Sequence, residues 1–296
     1  MSGACEEENK SPNPVTVFGS ALFTTKLAEN SENETVVLSP WSIWTALSMA
    51  EMASVEGSLA SEELRKLLQY DLVCGDVHDW FKKVHSMLVE SDSKVSLQTA
   101  NAIFVDDQVK DNFKAECLST FSAEVMRLQD GCAGINTFVS DKTGNMIKQI
   151  VSRKPDGPAV LVNAVYFRGS WAKKFDKTDT RDDTFTTFAN QLTKCKMMKI
   201  NQHMQYIKTK KLTMVELDYG DTRQFAAFIA VPTGAGAKSM QEAVEELFGT
   251  EDAWDNVTSQ MQGKTIELSL PRFNADSNGT TDLKGTIEKM GAKEVF

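Results

Sequence analysis

Ala159-Val-Leu-Val-Asn163-Ala-Val-Tyr-Phe167-Arg-Gly169-Ser-Trp171 is the stretch whose reading decides the fold. Eight of the nine residues from Ala159 to Phe167 are apolar. Pro155-Asp-Gly-Pro158 precedes them and Arg168-Gly169 follows. A short apolar run bounded by turn formers reads as a strand buried on both faces, at the centre of a large sheet. Its one polar residue, Asn163, must then find partners or cost about 1–3 kcal/mol. The core at Asn163 is expected to be hydrogen-bonded as well as packed.

Outward from this strand the two halves of the chain differ. Before it, apolar residues recur at helical spacing. Helices are expected from Pro14 to about Asn30, from Ser39-Pro40 to Ala53, over Ser61–Tyr70, and after Asp76. Ser39 suits the N-cap and Pro40 the first helical position. A short strand is expected at Val36–Leu38, then strands at Val95–Val105 and Ala123–Leu128, with helices at Asp111–Phe121 and Ile135–Val151. After Trp171 the pattern is mostly β: 184–188, 194–200, 203–209, 212–219, 224–231 and 265–270, interrupted by helices at 238–248 and 282–290. Helices first and strands later, without strict alternation, is the α+β pattern. Residues 1–13 are polar and expected to be disordered, and 14–296 to form one domain.

Composition excludes several classes of function. The net charge is −9 over 296 residues, which disfavours nucleic acid as a partner. There is no apolar run of eighteen residues, so no membrane span is expected. The start, Met-Ser-Gly-Ala-Cys-Glu-Glu-Glu, is acidic where a secretory signal begins basic, so a cytoplasmic location is expected. Cys5, Cys74, Cys117, Cys132 and Cys195 are odd in number and far apart, which suits reduced thiols. Three sequons, at Asn33, Asn256 and Asn278, point the other way, towards the secretory route.

Local motifs for catalysis or cofactors are lacking. His78, His85 and His203 are the only histidines, and His78 and His85, seven apart, lack metal-ligand spacing. Gly234-Ala-Gly-Ala-Lys238-Ser239 follows a strand and opens a helix, but Ala237 and Pro232 stand where a phosphate loop needs glycines. It reads as a turn and helix start, and no cofactor is expected. From Thr184 to Val215 there is no acidic residue but six lysines: Lys194, Lys196, Lys199, Lys208, Lys210 and Lys211. They mark either a polyanion site or the wet face of a strand.

Taken in order, the motifs resemble the serpins, the serine protease inhibitor family, from about Val17 to Phe296. Ser39-Pro-Trp-Ser42-Ile resembles that family's helix start, and Asn101-Ala-Ile-Phe-Val105 a strand of its main sheet. Ile135-Asn-Thr-Phe-Val-Ser-Asp-Lys-Thr143 resembles the helix lying across that sheet. Leu161–Trp171 is the strongest match, and Met214–Tyr219 and Leu268-Ser-Leu-Pro-Arg-Phe273 add two more.

The resemblance implies three mostly antiparallel sheets with about nine helices. It implies a suicide substrate rather than an enzyme: a bait loop is cleaved by a serine or cysteine protease, stays bound as an acyl-enzyme, and inserts as a strand into the main sheet. Ser39, Ser42 and Asn163 match the polar cluster below the point where that sheet parts, and Trp171 the place where insertion begins. Some family members are instead carriers, chaperones or storage proteins, and many are extracellular. By the same resemblance the bait loop and the strands after it are expected to be absent from these 296 residues. The chain alone is then expected to be inactive as an inhibitor, and its main sheet to have an uncovered edge.

Overall fold

The computed structural model describes residues 12–29, 35–89, 92–106, 109–128, 131–153, 155, 159–187, 190–275 and 282–295. Residues 1–11 of the expected disordered segment, and the sequons at Asn33 and Asn278, lie outside them. Five α-helices precede the second strand: α1 (Pro14–Glu29), α2 (Pro40–Ala53), α3 (Leu59–Leu67), α4 (Val77–Val89) and α5 (Asp111–Phe121). The Ser39 hydroxyl accepts from the Ser42 N–H and caps α2, while Pro40 takes a position whose N–H would be unpaired in any case. The Asp76 carboxylate caps α4 by accepting from the N–H groups of His78 and Asp79. Residues 35–39 run as unpaired chain rather than the expected strand.

These helices meet around Trp44, which is fully buried. Its indole contacts Trp80 at 5.6 Å, Tyr70 at 5.7 Å and Phe81 at 5.9 Å, and its Nε1 donates to the Leu68 carbonyl. Phe18, Leu22, Met49, Leu64 and Phe121 complete this core.

The first sheet lies against it. Its order is β2-β1-β3: β1 (Val95–Val105) runs parallel to β2 (Ala123–Arg127) and antiparallel to β3 (Ala159–Gly169). Strand alternation divides the side chains. Ile103 turns to the helical core, while Ala100, Ala102, Phe104, Val162 and Ala164 turn to α6 (Cys132–Lys142) on the other face. The helix α6 is shorter than the expected 135–151. It stops where Gly144 and Asn145 adopt φ of 59° and 64°, a left-handed turn that a right-handed helix cannot continue through.

The reading of β3 as the doubly buried centre of a large sheet is corrected. Among the described residues it is an edge strand. Val162 and Ala164 are buried under α6, but on the opposite face Leu161 is 36% exposed and Phe167 39%. Phe167 packs against the rings of Tyr219 and Phe225, at 5.1 and 5.5 Å, but with a strand neighbour on one side only among the described residues both side chains stay partly open to solvent.

The second sheet joins β4 (Arg181–Thr186), β5 (Leu192–Lys208), β6 (Leu212–Tyr219) and β7 (Phe225–Pro232) in sequence order, with β8 (Gln262–Pro271) also paired to β5. The stretches 194–200 and 203–209 are one strand of 17 residues. It pairs in turn with β4, β8 and β6, so the described residues form two sheets where three were expected. The helices α7 (Ala237–Phe248) and α8 (Ala253–Thr258) cover one face through Ala243, Leu247 and Val257. The short α8 was not legible in the periodicity. It carries Asn256, whose side chain is exposed. The helix α9 (Lys284–Lys289) packs on α1. The Gly234–Ser239 segment is a turn and helix start, as read. Cys117, Cys132 and Cys195 are free thiols, but Cys74 is disulfide-bonded, against the expectation of reduced cysteines throughout.

Two carboxylates tie distant parts of the chain together. Asp92, before β1, accepts from the N–H groups of Lys94, Asp221 and Thr222 and from the Thr222 hydroxyl, clamping the β6–β7 turn. Gly220 in that turn has φ of 66°, and a Cβ there would collide with the Asp92 carboxylate. Glu29 accepts from Lys289, Thr286 and Lys26, joining α1 to α9.

These bonds favour the charged carboxylates. The backbone donors, Thr222 first, hold Asp92 at about 2, and Lys289 and Thr286 hold Glu29 at about 2. Both pKa values are depressed on folding. Their contribution to stability is therefore complete above about pH 5 and is lost as pH falls from there towards 2. The urea midpoint should drop over that window. Asp92→Asn should flatten the profile there, and an unchanged profile in this variant would remove Asp92 from the account.

Candidate functional site: the open edge of the first sheet

On its inner side β3 pairs with β1 from Val105↔Ala159 to Val95↔Gly169. Its outer edge has no strand partner among the described residues. It presents eleven residues of backbone available for pairing.

Halfway along, the register sets Asn163 directly opposite Asn101 of β1. The Asn163 Nδ2 donates to Asn101 Oδ1, and Asn101 Nδ2 donates to the carbonyl of Phe121 at the end of α5. Asn101 is 3% exposed. The two amides thus wire β3 to β1 and β1 to the helical core. The Asn163 Oδ1 is buried with no partner among the described residues, and the network is unfinished at that atom.

The sequence reasoning singled out Asn163 and missed Asn101. The same signal was present, since Asn101 is a lone amide beside the apolar run Ala102–Val105. What could not be read was that the register would put the two opposite each other. Ser39 and Ser42 start α2, which packs against β3, but they bond to each other and neither bonds to Asn163.

Trp171 stands at the far end of the same strand. It forms a β-bridge to Tyr219 of β6 and stacks on that ring at 4.3 Å. The Ala172 N–H donates to the Asp218 carbonyl and the Gly220 N–H to the Ser170 carbonyl, each at 2.8 Å. Here the first sheet is sewn to the second. Gly169 permits it, because a Cβ at that position would lie 2.6 Å from the Tyr219 ring.

Near the polar pair, α4 turns His85 towards β1. Its Nε2 lies 3.1 Å from the Thr99 hydroxyl, and its ring stacks on Phe81. Burial lowers its pKa, so the neutral form is favoured at pH 7. Burial also pushes the Cys117 thiol up to about 11, which makes it a poor nucleophile. No group of three or more His, Cys, Asp or Glu among the described residues could hold a metal ion, and no helix there is long and apolar enough to cross a membrane.

The six lysines do not form one patch. Lys194, Lys196 and Lys199 lie at the first end of β5, and Lys208, Lys210 and Lys211 at its turn into β6. Nine residues of strand, about 30 Å, separate Lys199 from Lys208. All six are exposed, and Lys196 is paired with Asp182 at 2.8 Å.

The comparisons with known proteins agree with this architecture. The family model described as Serpin (serine protease inhibitor) matches residues 14–296. Among curated relatives, a serine protease inhibitor of Mus musculus is 27% identical over 95% of the chain, and serine protease inhibitor 42Dd of Drosophila melanogaster 31% identical over 91%. Corticosteroid-binding globulin of Pongo abelii is 27% identical over 90%. The chain spans 64%, 72% and 66% of the lengths of these three proteins. Among solved structures, a cleaved serpin 42Da superposes with a TM-score of 0.82 at 25% identity, covering 96% of this chain and 76% of that one. Native protease nexin-1 with heparin gives 0.83 at 24% identity, covering 96% and 80%. With the two-amide core, the bridged end of β3 and a family model that spans all but the first residues, the chain belongs to the serpin family.

Proposed function

We propose that the protein inhibits a serine or cysteine protease by covalent trapping, with β3 forming one wall of the gap that accepts the cleaved bait loop as a strand. One observation carries this reading: among the described residues the outer edge of β3 is unpaired along its length, and the buried Asn163 Oδ1 on that strand has no partner. An incoming strand would satisfy the backbone edge and cover Leu161 and Phe167. Ser39 and Ser42 hold the start of α2 beneath the strand, and Trp171 fixes the end at which insertion would begin. The bait is assigned to a segment outside these 296 residues.

The test is a protease panel. The 296 residues alone should give no complex that survives SDS, and the same chain extended by a bait segment should give one with its target. A stable complex from the 296 residues would overturn the assignment of the bait. The similarity to corticosteroid-binding globulin supports a second reading, a non-inhibitory carrier. Under it the extended chain would be cleaved as an ordinary substrate with no complex left behind.

A further inference from the structure

The strands β5 and β6 pair only over Tyr206–Lys208 and Thr213–Val215. Continuing that register would set Gln205 against Glu216 and His203 against Asp218. The strands part instead, β5 staying with β8 and β6 with β7. The opening holds a cavity of about 470 Å³. That is within the range of small-molecule sites, roughly 300–1,000 Å³. The Trp171–Lys173 segment borders it, and the buried side chains of Met204 and Leu217 belong to its apolar side.

Two charges that line this cavity are unmatched. The Glu216 carboxylate is half-buried and makes no hydrogen bond or ion pair with any described residue. Burial and the neighbouring Asp218 raise its pKa. The Lys173 ammonium donates to the Asn201 carbonyl at 2.9 Å but meets no carboxylate among the described residues. The remaining pair is already matched, since Arg223 lies 3.6 Å from Asp218. A simple cation would leave Lys173 unmatched, and a simple anion would leave Glu216 so. A ligand carrying both charges answers both, and Trp171 lines the same cavity.

We propose that this cavity binds a small zwitterion of the amino acid or dipeptide class. The ligand ammonium would sit on Glu216, its carboxylate on Lys173, and its apolar side chain towards Met204, Leu217 and Trp171. Binding here does not depend on the strand-acceptor reading of β3.

The test uses leucyl-glycine, its N-acetyl derivative and its C-terminal amide, titrated into the chain by calorimetry at pH 7. The unmodified dipeptide should bind saturably, and each capped form at least about tenfold more weakly, the loss expected for one charge-assisted contact. Glu216→Gln should abolish the preference over the N-acetyl form, and Lys173→Met the preference over the amide. Absence of saturable binding, or equal binding of all three peptides, would overturn the proposal. Equal loss of both preferences in either variant would reject the assigned orientation. Lys173 is exposed, so Lys173→Met retains the test should Glu216→Gln fold poorly.

Discussion

Asn101→Ala should destabilise the chain by about 2–4 kcal/mol, seen as a lower urea midpoint at unchanged slope. The substitution removes a side chain that is 3% exposed and holds two bonds at once. It leaves the buried Phe121 carbonyl without its donor and the Asn163 amide without its acceptor. Each orphaned group costs about 1–3 kcal/mol. Asn163→Ala should cost less, because it also removes the Oδ1 that has no partner among the described residues. That ordering is the discriminating result. If Asn163→Ala were the more damaging, the wiring of β3 through β1 to the end of α5 would be wrong. A double variant should lose less than the sum of the two, since the residues share one bond.

Trp44→Ala should be the most damaging single change, about 3–5 kcal/mol. The indole is fully buried among Trp80, Tyr70 and Phe81, and Trp41 beside it is already stacked on Phe81, so the void would be filled only at the cost of that contact. Trp44→Phe separates packing from hydrogen bonding. It keeps an aromatic ring and loses the Nε1 bond to the Leu68 carbonyl, so about 1–2 kcal/mol is expected. Denaturant unfolding of the two variants checks this. A loss of less than about 1 kcal/mol for Trp44→Ala would show that the helical cluster repacks and does not depend on the ring.

Much of the fold was legible because local rules and tertiary demands agree. Helix α5 begins and ends where its periodicity and flanking residues place it, and β1 runs the full Val95–Val105. The misreadings have physical causes. The Ile135–Val151 pattern continues beyond the turn at Gly144, where backbone geometry overrides side-chain spacing. The stretches 194–200 and 203–209 have no turn former between them strong enough to break a strand, and pairing with β8 across both keeps them one. The disulfide at Cys74 has no local signature, because cysteine spacing says nothing of which thiols meet.

The residues near Asn163 show where the limit lies. An amide alone in an apolar run announces a buried polar contact whatever the fold, because its desolvation cost is a property of the group. That much, with the apolar strand around it, the helices before it and the family resemblance, follows from the order of residues. Its partner, its orphaned oxygen and the open edge beside it depend on strand register and on which neighbours a strand acquires. Those are settled by contacts between residues 62 apart in the chain, as for Asn101 and Asn163. The same holds for the gap between β5 and β6, where two unmatched charges line one space only because the strands diverge.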